Sequence, residues 1–194
     1  MSQPPHQLGT PTWEDPGFRF TFGNWSTEAD SAAALDDALD VDKLWKIYRE
    51  VPGVLVQPRP AQEGRPVRID RVLIANPRLV GLGWRHGAIG VEIKKSGVKI
   101  GGPIAQAMDY SRAVWTLPTA GGIRVWLDWI FIWPMPKQSG PLASVLAQNR
   151  IGSASADRWT RLYFKSGEAN IIKINNDGPP ELGAASNGRS VGSR

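Results

Sequence analysis

The chain has 194 residues, 41% of them hydrophobic, which is enough for one domain with a real core. It has no cysteine and only two histidines, His6 and His86. This excludes disulfides, thiolate metal sites and cysteine nucleophiles, and argues against a zinc centre built from imidazoles. A net charge of +5 and a pI near 9.7 suit a polyanionic partner without demanding one.

The first 30 residues, rich in Pro, Gly and Ser, read as an extended N-terminal arm. Phe18, Phe20 and Phe22 alternate with polar residues, so Gly17 to Trp25 reads as a short edge strand. No charged-then-apolar leader pattern opens the chain. The most apolar stretch, Val125 to Met135, is interrupted by Asp128 and falls short of the roughly 20 residues a membrane span requires. A cytoplasmic protein with no membrane partner is the expectation.

A single domain is expected over residues 31–175. Leu35, Leu39, Leu44, Trp45 and Tyr48 form a helical stripe over Ser31 to Val51, with Asp36, Asp37 and Asp40 in its first half and Pro52-Gly53 ending it. Strands follow at Val54–Gln57, Pro66–Ile74 and Ala88–Lys95. Gly101-Gly102-Pro103 starts a helix running to about Trp115, with proline suited to the first turn. Gly122–Trp133 reads as one long strand and Leu142–Asn149 as a short helix. Trp159–Phe164 and Asn170–Ile174 form a hairpin around Ser166-Gly167. Residues 176–194 read as a flexible tail. This order of elements predicts an α/β fold, a mixed sheet with helices packed against it.

Two segments carry chemistry: Arg68-Ile69-Asp70-Arg71-Val72-Leu73 and Gly90-Val91-Glu92-Ile93-Lys94-Lys95. Residues two apart on a strand share a face, so Glu92 and Lys94 project together while Val91 and Ile93 enter the core. Pairing of the two strands would bring Asp70 beside Glu92. Neighbouring carboxylates repel and raise one another's pKa unless a cation lies between them. Mg²⁺ is the natural occupant, a hard ion bound by one or two carboxylates, with Mn²⁺ able to substitute and the Ile93 carbonyl a further oxygen ligand. Lys94 would face the scissile phosphate and the attacking water, offsetting negative charge as it develops.

An Asp, about twenty residues, then Glu-x-Lys on an apolar strand followed by a helix resembles the signature of the PD-(D/E)XK nucleases. In the helix, Gln106-Ala107-Met108-Asp109-Tyr110 is similar to the Gln-x-x-x-Tyr motif of the RecB-like and lambda-exonuclease-like branches. Gln106 and Tyr110, four apart, share a helical face. The resemblance covers about half the chain. It implies a restriction-endonuclease-like core, a mixed four-stranded sheet flanked by helices in αβββαβ order, to which the C-terminal helix and hairpin are appended. It also implies a Mg²⁺-dependent phosphodiesterase acting on DNA in replication, recombination or repair, with RNA not excluded, at home in bacteria or their phages. Asp70, Glu92 and Lys94 are then catalytic, Gln106 and Tyr110 supporting, and either Asp42 or Glu50 the acidic residue that many members carry on the first helix. Ile69 stands where the motif has proline, and no cysteines are present for an iron–sulfur cluster.

Around this centre Lys95, Lys99, Arg112 and Arg85 are candidate phosphate contacts or simply a solvated basic rim. Among the nine tryptophans, Trp84 lies between Gly81-Leu82-Gly83 and Arg85-His86-Gly87, a loop context that favours base stacking, with His86 a surface loop histidine. Asp128 has Arg124, four residues earlier, as a possible neighbour. The basic hairpin (Arg158, Arg161, Lys165, Lys173) reads as a DNA-binding ribbon, a dimer-forming ribbon or a plain sheet extension, and a homo-oligomer is possible. Two rival readings remain: a catalytically silent nucleic-acid-binding or assembly protein on the same fold, and an interaction protein in which the Asp and Glu-x-Lys pattern arose by chance.

Overall fold

Thr27 opens the first helix. Its hydroxyl accepts the Asp30 N–H at 3.1 Å and donates to the Asp30 carboxylate at 2.7 Å, a capping arrangement that satisfies an otherwise unpaired helix-start donor. This computed structural model describes residues 25–40, 43–56, 64–135, 138, 140–157, 160–167, 169–176 and 178–183. The edge strand expected at Gly17–Trp25 lies, apart from Trp25, outside the described residues, as does Asp42.

The elements run α1 (Glu28–Asp40), β1 (Trp45–Leu55), β2 (Pro66–Ala75), α2 (Pro77–Gly81), β3 (Ala88–Ile93), α3 (Gly101–Tyr110), β4 (Ala113–Thr116), β5 (Arg124–Val125) and β6 (Leu127–Trp133). Then come α4 (Gly140–Gln148), β7 (Ile151–Ser155), β8 (Thr160–Ser166), β9 (Ala169–Asn175) and β10 (Glu181–Leu182). The protein is α/β, with one mixed sheet ordered β10-β9-β8-β7-β6-β3-β2-β1-β4-β5 and four helices among the described residues. The β1–β2 and β2–β3 pairs are antiparallel, whereas β3–β6 and β6–β7 are parallel and are bridged by segments containing α3 and α4. Parallel neighbours need such crossovers, because a tight turn cannot return a strand in the same direction.

Strand β3 is buried along its whole length. Its apolar residues alternate between two cores: Ile89, Val91 and Ile93 pack with Leu35 and Leu39 of α1, while Ala88 belongs to the cluster holding Ala107 and Tyr110 of α3. A strand covered on both faces is expected to be apolar throughout, which makes Glu92 the exception in Ala-Ile-Gly-Val-Glu-Ile. Gly90 is needed for close approach. A Cβ there would lie 2.5 Å from Ile69 Cδ1 and 2.6 Å from Leu127 Cδ1.

Several sequence expectations are corrected. The first helix ends at Asp40; Lys43 takes a left-handed φ of 46°, and Trp45–Leu55 is a strand, so Trp45 and Tyr48 were not part of a helical stripe. Pairing with β2 outweighs a local spacing that fits either period. Pro52-Gly53 lies inside that strand rather than ending a helix. Helix α3 stops at Tyr110, because Ala113–Thr116 pairs with β1 as β4. The long strand expected at Gly122–Trp133 is two strands parted by Trp126. The strand Ile151–Ser155 was missed because its Gly, Ser and Ala residues carry little hydrophobic signal, although four of its five positions are buried. The sheet therefore has ten strands rather than four. Helix α1 begins at Glu28, inside the expected arm, and β10 pairs with β9 inside the expected tail. The C-terminal helix and the β8–β9 hairpin, turning at Gly167 (φ 57°), are found where they were expected.

Candidate active site

Strand pairing assembles the centre. Residues Arg71, Val72 and Leu73 face Val91, Gly90 and Ile89 across β2–β3; continuing that register by one position sets Asp70 across from Glu92. The two carboxyls are near enough for the charge of Asp70 to act on Glu92. Asp70 Oδ2 accepts the Ile93 N–H at 2.6 Å, and Lys94 Nζ donates to Glu92 Oε1 at 2.5 Å. Glu92 is 2% exposed, and its second oxygen, Oε2, is buried with no hydrogen-bond partner among the described residues. Three of the residues singled out from the sequence, Asp70, Glu92 and Lys94, thus meet at the C-terminal end of β3, next to the parallel strand β6. In α/β sheets that end is where ligands bind.

The electrostatics follow from this packing. Burial pushes the Glu92 carboxyl up to about 7; the adjacent Asp70 adds to the rise, and the Lys94 hydrogen bond and charge oppose it. Burial also holds Asp70 above the usual carboxylate range, against the Ile93 N–H and the Lys94 charge, with Glu50 and Glu28 contributing further repulsion. For Lys94 burial works downward, but the hydrogen bond and charge of Glu92 outweigh it and keep the ammonium above its ordinary value. Two carboxyls share one lysine.

Helix α3 supports the pair from one face. Gln106 Nε2 donates to Tyr110 Oη at 2.6 Å, and Tyr110 Oη donates to the Arg68 carbonyl at 2.5 Å, two residues before Asp70. Burial and then the Glu92 charge push the Tyr110 phenol up to about 12, so it stays a neutral donor. From the other face, Arg71 fixes the same strand. Its guanidinium forks onto Asp36 of α1 at 2.8 and 3.0 Å and also donates to the Asp70 carbonyl at 2.8 Å.

Of the two acids expected on the first helix, one lies elsewhere. Glu50 lies on β1, exposed, with φ 50°, and is ion-paired to Arg68 at 2.8 Å; Asp42 is outside the described residues. Among the described residues, Glu28 of α1 approaches the centre, 3.9 Å from Lys94 Nζ, and sequence reasoning missed it. The signal was there: Thr27-Glu28-Ala29-Asp30 fits a capping box with Glu28 in the first turn.

Of the other expected contacts, only Lys95 adjoins Lys94 in a cleft. Lys95, Lys99 and Arg112 are exposed. Arg85 precedes β3 and turns its guanidinium onto the Val80 and Trp84 carbonyls, both at 3.3 Å, about 20 Å of strand rise from Lys94. Trp84 is not a loop aromatic open to a base. It is 1% exposed and stands edge-on to Trp45 and His86 in the core. His86 is not a free surface histidine either, being half-buried between Trp84 and Trp129. Asp128 accepts the Gly87 N–H at 2.6 Å and lies 3.9 Å from His86 Nδ1, in place of the expected Arg124 pairing.

No family model, curated protein or solved structure matches the chain. Among the described residues no three of His, Cys, Asp and Glu gather into a group able to hold a metal ion. What converges is a two-carboxylate centre with a lysine. Among the described residues no helix is long and apolar enough to cross a membrane.

Proposed function

We propose that this protein is a Mg²⁺-dependent nuclease of the PD-(D/E)XK type, cleaving phosphodiester bonds of DNA at Asp70, Glu92 and Lys94. The observation that carries the reading is the buried, unpartnered Glu92 Oε2 beside Asp70. A charged carboxylate left short of partners in a fully buried strand is costly, and a divalent cation is the group that would relieve it. The donor set suits Mg²⁺, which is often held by one or two carboxylates with its other positions left to water and phosphate. The order α1, β1–β2–β3, α3, β6, with β3 and β6 parallel, supports a restriction-endonuclease-like core inside the larger sheet.

Asp70 and Glu92 would hold the cation, with the Ile93 carbonyl as a further oxygen. When bound, the cation supplies charge that polarises the phosphate and lowers the pKa of water. The chain's own groups do the remaining work. Lys94 stands against Glu92 and presents an ammonium to the phosphate, where it offsets negative charge as the bond to the leaving oxygen breaks. Tyr110 and Gln106 hold the β2 main chain, and Arg71 holds it from the opposite face, so that Asp70 keeps its position opposite Glu92.

The test is incubation of the full chain with linear, branched and single-stranded DNA in Mg²⁺ or Mn²⁺. Lys94→Met and Glu92→Gln are expected to lower the cleavage rate by on the order of 10²–10³. Cleavage that survives both substitutions, or that persists in EDTA, would contradict this centre.

A further inference from the structure

A cleft of about 280 Å³ opens beside the carboxylate pair and shares Lys94 with it. Its charge and its floor differ in kind. Lys94 and Lys95 make it basic, whereas Val98, Ile100, Ile132 and Met135 make it apolar. The walls come from the segment after β3 and from β6 and the residues following it, so the cleft continues directly from the proposed reaction centre.

The segment after β3 is anchored. Ser96 N–H donates to the Trp25 carbonyl and Trp25 N–H donates to Ser96 Oγ, both at 3.0 Å, and Gly97 turns the chain with φ 76°. Val98, 39% exposed, follows this turn and lines the cleft. A preformed wall spares a ligand the cost of ordering it.

A phosphate or sugar gains nothing from an apolar floor. Stacked bases of a continuous duplex keep their faces inside the stack. A single unpaired base has flat faces that gain by leaving water, and its flanking phosphates carry the charge that two lysines attract. The volume falls near the lower end for small-molecule sites, about 300–1,000 Å³, which suits a group of that size. A second cleft shares Gln106 and Tyr110 with the centre and is bordered by the Arg65–Asp109 ion pair, so it is a more polar track.

We propose that the Lys94–Lys95 cleft receives one unpaired nucleobase next to the phosphate held at Lys94, and so directs the enzyme to single-stranded or frayed DNA rather than continuous duplex. The proposal rests on the nuclease reading of the same site but makes a separate prediction about binding. Affinity is measured by fluorescence anisotropy in EDTA, using a 12-nucleotide oligothymidylate and an abasic strand of equal length and charge. The intact strand is expected to bind about tenfold more tightly, from apolar burial of the base face. Val98→Ser combined with Ile100→Ser should bring the two affinities together while leaving the abasic one unchanged. Equal binding of both strands by the wild type, or a preference that survives the double substitution, overturns the pocket. With Mg²⁺ added, equal cleavage of duplex and single strand alongside base-independent binding defeats the pocket and leaves the nuclease. Base-dependent binding with no cleavage of any strand supports the pocket and defeats the nuclease.

Discussion

Asp70 and Arg71 are neighbours on β2 and bury charge on opposite faces of the sheet. Arg71, 6% exposed, meets Asp36 through two hydrogen bonds and spends a third donor on the Asp70 carbonyl. Arg49 adds a further donor to Asp36 at 3.0 Å, so the carboxylate is fully compensated, as a buried ion pair requires if it is to hold a fold together. One residue away, Asp70 and Glu92 place two carboxyls against one lysine, with an oxygen left unpartnered. The first arrangement is complete by itself. The second lacks positive charge, and that deficit is the basis of the proposed ligand site.

Breaking the complete pair should have the larger effect on folding. Arg71→Ala removes the fork and leaves Asp36 with only the exposed Arg49, at a cost of about 2–3 kcal/mol, read as a fall in melting temperature of roughly 4–12 °C. Breaking the incomplete pair should act with the opposite sign at alkaline pH. The folded Glu92 pKa of about 7 is raised above the ordinary glutamate value of 4.5, so its stabilising contribution is present below pH 4.5 and is lost as pH rises through 7. Stability without metal is therefore expected to fall over that window, by on the order of 2–3 kcal/mol from Glu92. Glu92→Gln should flatten most of the slope in a series of thermal melts between pH 4.5 and 8, leaving a smaller part from Asp70, which shifts in the same direction. A wild type whose stability rises across the window would contradict the assignment. The smallest change is Tyr110→Phe. It removes the hydrogen bond to the Arg68 carbonyl and leaves Gln106 without its partner, a loss of about 1–2 kcal/mol in denaturant unfolding.

The contrast was partly legible in the sequence. Asp70 and Glu92 stand in runs so apolar that strand pairing was the natural reading, and the two-residue step from Glu92 to Lys94 placed them on one face. Arg71 was not legible as half of a buried pair, because its partner Asp36 sits 35 residues away and looked like one of several acids on an exposed helical face. Glu28 was missed because the helix was started at its apolar stripe rather than at its Thr27 cap. Residues Trp45–Leu55 and Ala113–Thr116 became strands through pairing with each other and with β2, information that no short window contains. Trp84 has loop-forming neighbours on both sides, yet its large apolar ring is drawn into the core, where burial of such a side chain contributes about 1.5–3 kcal/mol or more.

The central claim is that the unsatisfied carboxylates await a divalent cation. Titration of the full chain with Mn²⁺ at pH 8, followed by isothermal calorimetry, tests it most directly. The wild type is expected to bind one ion, and Glu92→Gln to lose that binding while remaining folded. No binding by the wild type, or equal binding by Glu92→Gln, would contradict the account.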